Sequence, residues 1–374
     1  MNRRPSQSRT GFDSFSPQHT AHFKAAQPGG EFFEPKPRAS LGRRLLLALL
    51  LMTLIALAVN LAVNQFVRVA RVTVPIRRMD PAFEGYTLLQ ISDLKGATYG
   101  SNQALIRFAL QNEDFDAVVF TGDMVSSRGN AQPLYALIEM LRELNPDAPI
   151  YMIPGDKDPL PASMSYATGG SPFAPWVLGT KQRGGQLLSA PVQIERDGHT
   201  LWLTTSALLS LDMDTMQAQF ERQYLDALAD GDENAIELTT YNLQWLTETR
   251  NARAKMTDAD VYIALTHVPP ADEELESAYP GSLRERVHLV LCGHYQGGLI
   301  RLPFAGALFI PSQNLPLYGL LPGADTYFGL TRKGRTYLYV SPGLGGNDGL
   351  YPLPFFRLFN PPTVSLISLT TSSL

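Results

Sequence analysis

Apolar residues form one long, continuous run near the start of the chain. Between residues 45 and 67 there is no charged side chain, and only Asn60, Asn64 and Gln65 are strongly polar. About 20 apolar residues in a helix are enough to cross a bilayer. We therefore predict a transmembrane helix or signal anchor at residues 44–67. A buried helix of a soluble protein is the alternative interpretation.

The residues on either side of this run indicate whether the helix is cleaved off and how it is oriented in the membrane. Arg43 and Arg44 resemble a twin-arginine export signal, but no clean small-residue cleavage site follows, which favours an uncleaved anchor. Residues 1–43 are rich in Ser, Pro, Gly, Gln and Arg without an apolar period, which predicts a disordered tail. The flank before the run, residues 24–44, has five basic residues, and the flank after it, residues 68–78, has four. This slight bias predicts a cytoplasmic tail and a single-pass protein of the cell membrane with an extracytoplasmic domain.

Short apolar runs then alternate with segments of helical period. After a predicted linker at 68–84, the strand-like runs are "YTLLQIS", "DAVVFTG", "APIYMIPG", "LWLTTS", "VYIALTH" and "VHLVLCG", and "TVSLISLT" comes near the end. Helical spacing occurs at 103–111 and 133–144. This alternation predicts an α/β domain over residues 85–374. Two amphipathic segments at about 212–256 predict a helical insertion in it.

Composition narrows the classes of partner and site. The chain has 374 residues, a formal net charge of −4 and 44% hydrophobic residues, enough for a sizeable core. The near-neutral balance argues against nucleic acid as a partner. One cysteine, Cys292, excludes an intramolecular disulfide and a zinc site built on several cysteines. With six histidines, a metal site must depend largely on carboxylates.

Polar residues follow five of the strand-like runs. They are Asp93, Asp123, Asp156, His267 and His294, with Asp158 two residues after Asp156. Ligands of α/β sheets bind at the carboxyl ends of strands, and Asp with His is a ligand set for a divalent metal that activates water. Taken singly, each Asp could be a turn or a helix cap, and each His a packed or solvated side chain. Their convergence favours the metal site.

The other four histidines have simpler interpretations. His288 lies inside a strand-like run and is expected to be structural, and His199 lies in a turn and is expected at the surface. His19 and His22 belong to the predicted tail.

The order of the motifs resembles a known family. The stretches "SDLKG", "TGDMV", "PGDKD", "LTHVPP" and "CGHYQGG" are similar to the D-x-H, G-D, G-N-H-D, lone H and G-H-x-H motifs of the calcineurin-like metallophosphoesterases, in particular their membrane-anchored bacterial branch. The resemblance extends from about Tyr86 to the C-terminus. It implies a four-layer αββα sandwich of two mixed β-sheets flanked by helices. It also implies hydrolysis of phosphate esters with two divalent metals.

One of the two metal sites that the resemblance implies is complete. Its positions correspond to Asp123, Asp156, His267 and His294, with Asp156 in place of the family's Asn. Aspartate is an acceptable oxygen ligand. We therefore predict one bound divalent ion: Mn, Fe or Zn.

The other metal site departs from the family. Its positions correspond to Asp93, Lys95, the shared Asp123 and Gln296, so both of its histidines are replaced. The ammonium of Lys95 could lie between the two carboxylates and offset their repulsion, or it could extend into solvent. Lys157 stands where the family has its phosphate-contacting His. It could contact phosphate as a point charge, or be a surface lysine.

Two hypotheses of function follow. In the first, the chain is a membrane-anchored phosphoesterase that uses one metal, with Lys95 and Lys157 in catalytic roles. It would hydrolyse mono- or diesters of a phosphorylated small molecule or a lipid or envelope phosphate. In the second, it is a catalytically impaired pseudoenzyme that binds a phosphorylated ligand or a protein partner.

Overall fold

The computed structural model describes residues 40–163, 171–209, 211–276, 283–302, 306–310, 319–323, 327–345 and 357–371. Most of the predicted disordered tail, residues 1–39, lies outside this range. Residues up to 53 form one unit and residues 54–374 another. Helix α1, Leu41–Val63, is long and apolar enough to cross a membrane, and it is the one such helix in the described part of the chain. Its length and composition fit a signal sequence equally.

The first sheet has six strands in the order β1-β14-β2-β3-β4-β5. They are β1 Arg68–Pro75, β2 Thr87–Ile91, β3 Ala117–Thr121, β4 Ile150–Ile153, β5 Gly185–Leu187 and β14 Thr363–Thr370. Strands β2 to β5 run parallel, and β14 is antiparallel to β2, so the sheet is mixed. Three helices pack on its outer face: α2 Ala104–Leu110, α3 Gln132–Leu144 and α4 Pro175–Gln182.

The second sheet has the order β12-β13-β9-β8-β7-β6 and is also mixed. Its strands are β6 Val192–Arg196, β7 His199–Thr205, β8 Val261–Leu265, β9 Leu289–Cys292, β12 Gly329–Lys333 and β13 Thr336–Val340. The helices near it are α5 Ser206–Leu209, α6 Met213–Asp230, α7 Glu233–Lys255 and α8 Asp272–Glu276. A small separate ribbon joins β10 Arg301–Leu302 to β11 Gly306–Ala307. Three short 3₁₀ turns complete the described elements: Pro81–Phe83, Ser101–Gln103 and Leu283–Arg286.

Side-chain alternation along the central strands builds the layers. In β3, Val118 and Phe120 pack against the helices, while Ala117 and Val119 pack against the second sheet. This period of two is what a strand buried on both faces produces. Further apolar residues on the far face of the second sheet pack beneath α5, α7 and α8. The predicted α/β sandwich of two mixed sheets with flanking helices is thus confirmed.

The segment expected to be a linker, 68–84, contains a strand. Residues of β1 pair in parallel with β14 along their whole length. Val69 and Val72 pack against the two cores on either side of the first sheet. In the sequence, the arginines of "RVARVTVP" suggested the flank of a membrane helix. In the structure, Arg68 and Arg71 are exposed, and the valines between and after them pack inwards.

The predicted helical insertion at 212–256 contains α6 and α7. Asp212 and Asp232 cap the two helices, each accepting hydrogen bonds from backbone N–H groups of the first turn. Trp245 of α7 contacts Phe220 of α6 edge-on and donates its indole N–H to the carbonyl of Ser189. The helix pair is thereby attached to the loop that precedes β6.

Candidate metal centre

Loops from both sheets meet at the carboxyl ends of five strands. Asp93, Asp123 and Asp156 follow β2, β3 and β4 of the first sheet, and His267 and His294 follow β8 and β9 of the second. The structure brings all five side chains together, and two groups of possible ligand atoms each lie within 4.8 Å of one another. The first is Asp156, His267 and His294, and the second is Asp93, Asp123 and His267.

His267 presents one ring nitrogen to the centre. Its Nδ1 donates to the carbonyl of Thr121 at 2.8 Å, which directs Nε2 towards Asp156 Oδ1 at 3.0 Å and Asp123 Oδ1 at 3.4 Å. Such a bond on the opposite nitrogen fixes the tautomer of metal-binding histidines. Burial lowers the pKa of His267, but hydrogen bonds to the two carboxylates outweigh it and raise that pKa to about 11.

His294 completes this side of the centre. Its Nδ1 lies 3.3 Å from Asp156 Oδ1 and 3.3 Å from His267 Nε2. Hydrogen bonds from the two histidines hold the pKa of the Asp156 carboxyl far below its usual range. Two imidazole nitrogens and carboxylate oxygens therefore converge on one point, an arrangement that suits Zn, Fe or Mn.

Lys95 lies in the other half of the centre. Its side chain is only 7% exposed, and Nζ lies 3.3 Å from Asp123 Oδ2 and 3.8 Å from Asp93 Oδ1. Asp123 Oδ2 is buried and accepts no hydrogen bond from the described residues, so this ammonium is the positive group that faces it. The extension of Lys95 into solvent, the alternative raised by the sequence, is not what the structure shows.

Gln296 contacts the same ammonium. In the amide orientation that satisfies both of its polar groups, the oxygen accepts from Lys95 Nζ and the nitrogen donates to the carbonyl of Gly345 at 3.3 Å. Asp93 is held by the Ser92 hydroxyl at 2.6 Å and by the backbone N–H of His294 at 3.1 Å. This half of the centre is therefore a closed polar network around one cation.

Lys157 lies at the exposed rim of the centre, and the next residue, Asp158, is partly buried. The side chain of Lys157 is 52% exposed, with Nζ 3.0 Å from Asp156 Oδ2, and its backbone N–H donates to Asp123 Oδ1 at 2.8 Å. The two oxygens of Asp158 accept from the backbone N–H groups of Val125 and Gly155, at 2.7 and 2.8 Å. Burial raises the pKa of Asp158 to about 6, against these two bonds, which lower it. Asp158 thus ties the loop after β3 to the loop after β4.

The backbone of the centre is in an unusual conformation. Asp93, Lys95, Asp123, His294 and Gln296 all have positive φ, between 51° and 68°. Residues other than glycine rarely adopt this region, and such strain collects at functional sites. Positions 95 and 296, where the resemblance implies histidines, therefore have the same class of backbone conformation as Asp93, Asp123 and His294.

Two glycines allow the loops to approach closely. A Cβ at Gly155 would overlap the carboxylate and backbone nitrogen of Asp123, and a Cβ at Gly293 would overlap the hydroxyl of Ser92. Both contacts join loops that carry a candidate ligand. No larger residue fits at either position without moving the centre.

Sequence reasoning missed Arg357, a large buried side chain that contacts the loops next to the centre. It is 1% exposed, and its guanidinium donates only to backbone carbonyls among the described residues: Gln296, Pro342, Leu344, Gly345 and Asn360. The backbone N–H of Gly345 in turn donates to the carbonyl of Asp93 at 2.6 Å. The signal in the sequence was a lone arginine in the apolar run "LPFFRLF".

Comparisons with known proteins agree with this geometry. The family model for calcineurin-like phosphoesterases matches residues 86–296. The chain is 26% identical over 268 residues to an uncharacterised metallophosphoesterase of Bacillus subtilis, YkuE, covering 70% of this chain and 73% of that protein.

Two solved structures are similar at a low level. The phosphopantetheinyl hydrolase of Mycobacterium tuberculosis has 12% identity and a TM-score of 0.35, over 74% of this chain and 96% of that one. A putative 5'-nucleotidase of Staphylococcus aureus has 11% identity and a TM-score of 0.31, over 77% of this chain and 55% of that one. The family match covers more than half of the chain, and the five motif loops it spans meet at one centre. The chain belongs to the calcineurin-like phosphoesterases, a family of metal-dependent phosphoesterase-type hydrolases.

Proposed function

We propose that this chain is a membrane-anchored hydrolase of phosphate mono- or diesters that uses one divalent metal. The ammonium of Lys95 would take the place of the second cation. The observation that carries the proposal is the position of Lys95 Nζ, buried between Asp123 Oδ2 and Asp93 Oδ1 at 3.3 and 3.8 Å. A metal bound to both of these oxygens would have to share its space with a like charge.

The residues of the other half fit a metal. Asp123, Asp156, His267 and His294 would hold it, because their oxygen and nitrogen atoms converge from both sheets. The Thr121 carbonyl fixes the ring of His267 in the orientation that ligation requires. When bound, a divalent ion at this place would polarise a phosphoryl oxygen and lower the pKa of a bound water.

The lysines would supply charge around the substrate. Lys95 offsets part of the negative charge of Asp93 and Asp123, so these carboxylates would repel an incoming phosphate less. Lys157 is half exposed next to Asp156 and would reach a phosphate oxygen as a point charge. Neither ammonium generates hydroxide at neutral pH. Loss of one electrostatic group of this kind costs roughly 10²–10³ in rate, so we expect slow turnover.

The same lysine supports a second candidate function. A centre that holds an ammonium at the second cation position, and Lys157 in place of a catalytic histidine, fits a catalytically impaired protein that binds a phosphorylated ligand or a protein partner. In that case the metal and Lys157 would bind a phosphate group without cleaving it.

The proposed location of the substrate depends on the role of α1 as a membrane anchor. As an uncleaved anchor, this helix would hold the domain at the cell membrane, on the extracytoplasmic side by the proposed orientation. A phosphorylated small molecule or a lipid or envelope phosphate is then the proposed substrate. The net charge of −4 gives no support to a nucleic acid partner.

Metal analysis and turnover on the purified full-length chain test the proposal. We expect one metal ion per chain and slow hydrolysis of p-nitrophenyl phosphate or its bis ester. Both should be lost in His267→Ala and after chelation, and both retained in His199→Ala, a surface histidine paired with Asp80. A metal-free protein, or turnover that survives in His267→Ala, would contradict the proposal. One bound metal without turnover would support the impaired protein.

A further inference from the structure

Large apolar side chains are exposed together in one region outside α1. Among the described residues, twelve large hydrophobic side chains outside α1 are exposed, and six of them come from residues 302–328 and 359. We call these six the apolar platform: Leu302, Phe309, Leu320, Leu321, Phe328 and Phe359, with exposures from 36% to 62%. Single exposed apolar residues are ordinary, but a group marks an interaction surface.

Backbone bonds join the segments of the platform. Phe309 and Leu320 form a β-bridge, and the guanidinium carbon of Arg301 lies 4.2 Å from the ring centre of Phe328. Three backbone hydrogen bonds connect the remaining pieces: Leu321 to Leu308 at 2.9 Å, Leu308 to Ile300 at 2.8 Å, and Arg301 to Leu358 at 2.9 Å. The six side chains therefore belong to one connected piece of structure.

This piece of structure is fastened to the end of α1. The backbone N–H of Phe359 donates to Asn60 Oδ1 at 2.8 Å. The amide nitrogens of Asn60 and Asn64 both donate to the carbonyl of Arg357, at 2.7 and 2.6 Å. Phe66, which is also exposed, lies two residues after Asn64. The apolar platform is thus hydrogen-bonded to the C-terminal end of the proposed anchor.

Charge in this region is positive. Arg68, which follows α1 along the chain, is exposed, and Arg301 of the platform segments is partly exposed, whereas Arg357 is buried and faces backbone carbonyls. The described residues of these segments, 299–302, 306–310, 319–323, 327–328 and 357–360, include no Asp or Glu. Basic groups beside apolar ones favour the headgroups of anionic lipids.

We propose that the apolar platform lies on the bilayer surface next to the anchor, with the exposed Arg68 at the level of anionic headgroups. The inference rests on the proposed role of α1 as an anchor. It deepens the proposed function, because Leu302 is six residues after Gln296 and Arg357 Nη2 donates to the Gln296 carbonyl at 3.0 Å. The metal centre would then border the membrane and could take phosphate groups presented at its surface.

Spin labels on the full-length chain test this surface. The native Cys292 is fully buried, so cysteines introduced as Leu321→Cys and Leu302→Cys should label selectively. Leu225→Cys on α6 is the matched control, since Leu225 and Leu321 are both 62% exposed. The chain is placed in vesicles of phosphatidylethanolamine and phosphatidylglycerol. Collision rates of each label with oxygen and with a water-soluble nickel chelate are then measured by electron paramagnetic resonance.

We expect the labels at 321 and 302 to collide readily with oxygen and roughly tenfold less with nickel than the label at 225, because an interfacial face sits about 5–10 Å into the headgroup region. Equal nickel collision rates at all three positions would overturn the inference. So would labels at 321 and 302 shielded from both reagents, which would indicate a protein contact such as a second copy. Flotation with the vesicles tests the anchor separately, and a chain that does not float would overturn anchor and platform together.

Discussion

Lys95 places a positive charge between two buried carboxylates, Asp93 and Asp123. At low dielectric these carboxylates repel each other strongly unless a cation lies between them. In the two-metal members of the family a metal supplies that charge, whereas here a side chain of the chain itself does. In the proposed one-metal centre, this half would need no metal ion.

The first prediction concerns the loss of that ammonium. Lys95→Met keeps the length of the side chain and removes its charge, so two buried carboxylates lose their cation. Removing one partner of a buried pair costs about 3–5 kcal/mol, and we expect a loss of that size in the free energy of unfolding. Urea unfolding in the presence of chelator measures it.

The matched control is the same substitution at the rim. Lys157 is 52% exposed, so Lys157→Met should change the free energy of unfolding by less than about 1 kcal/mol. Equal losses in the two variants would show that the charge of Lys95 has no special role in the fold.

The second prediction uses the backbone of the centre. Positions 95 and 296 both have a φ of 51°. Histidines introduced there would therefore have the same backbone conformation as the candidate ligands Asp93, Asp123 and His294. We expect the triple variant Lys95→His, Lys157→His and Gln296→His to bind two metal ions per chain and to hydrolyse p-nitrophenyl phosphate faster than the native chain. Metal analysis by mass spectrometry measures the stoichiometry.

A single variant distinguishes the effect of a second bound metal from the effect of a histidine at position 157. Lys157→His alone leaves Lys95 and Gln296 in place, and it should keep a stoichiometry of one. A triple variant that still binds one metal would mean that the pocket around Asp93 has changed in more than its side-chain ligands.

At the scale of elements, the loop after β13 accepts several hydrogen bonds from a single side chain, Arg357. Arg357 donates to the carbonyls of Pro342, Leu344 and Gly345, and the backbone of that loop donates to Ser92 and Asp93. The loop is therefore a support for Asp93, although it contributes no candidate ligand.

The third prediction is that Arg357→Lys loosens this support. Lysine has three donors and no planar fork, so at least two of the five hydrogen bonds are lost. A hydrogen bond to a charged group contributes about 1.5–3 kcal/mol, and we expect unfolding to become easier by about 2 kcal/mol or more. Arg335→Lys, at an exposed arginine, should be neutral. An unchanged urea midpoint in Arg357→Lys would contradict the role.

Elements differ in how far the sequence predicts them. The central strands were predictable because their runs are short, β-branched and bounded by turns, and the site followed from the polar residue at each strand end. Strand β1 was not predictable in this way, since its partner β14 lies almost 300 residues further along the chain. Arg357 was missed for the same reason, because its partners are distant loops that the local pattern does not reveal.

At the scale of the whole molecule, the candidate ligands come from both layers of the sandwich. The first sheet supplies Asp123 and Asp156, and the second supplies His267 and His294. A metal held by all four would therefore connect the two sheets directly. Its binding free energy would add to the free energy that holds the sheets together, since the unfolded chain has no such site.

The fourth prediction follows from this geometry. A ligand at a hundred times its dissociation constant stabilises the fold that binds it by about 2.7 kcal/mol, so adding Mn²⁺ or Zn²⁺ to chelator-treated protein should raise the melting temperature in a concentration-dependent way. His267→Ala should abolish the rise, and His199→Ala should keep it. The two variants separate a metal that bridges the sheets from ions bound weakly at the surface. A rise that persists in His267→Ala would place the stabilising metal elsewhere and would remove the support that this centre gives to the proposed function.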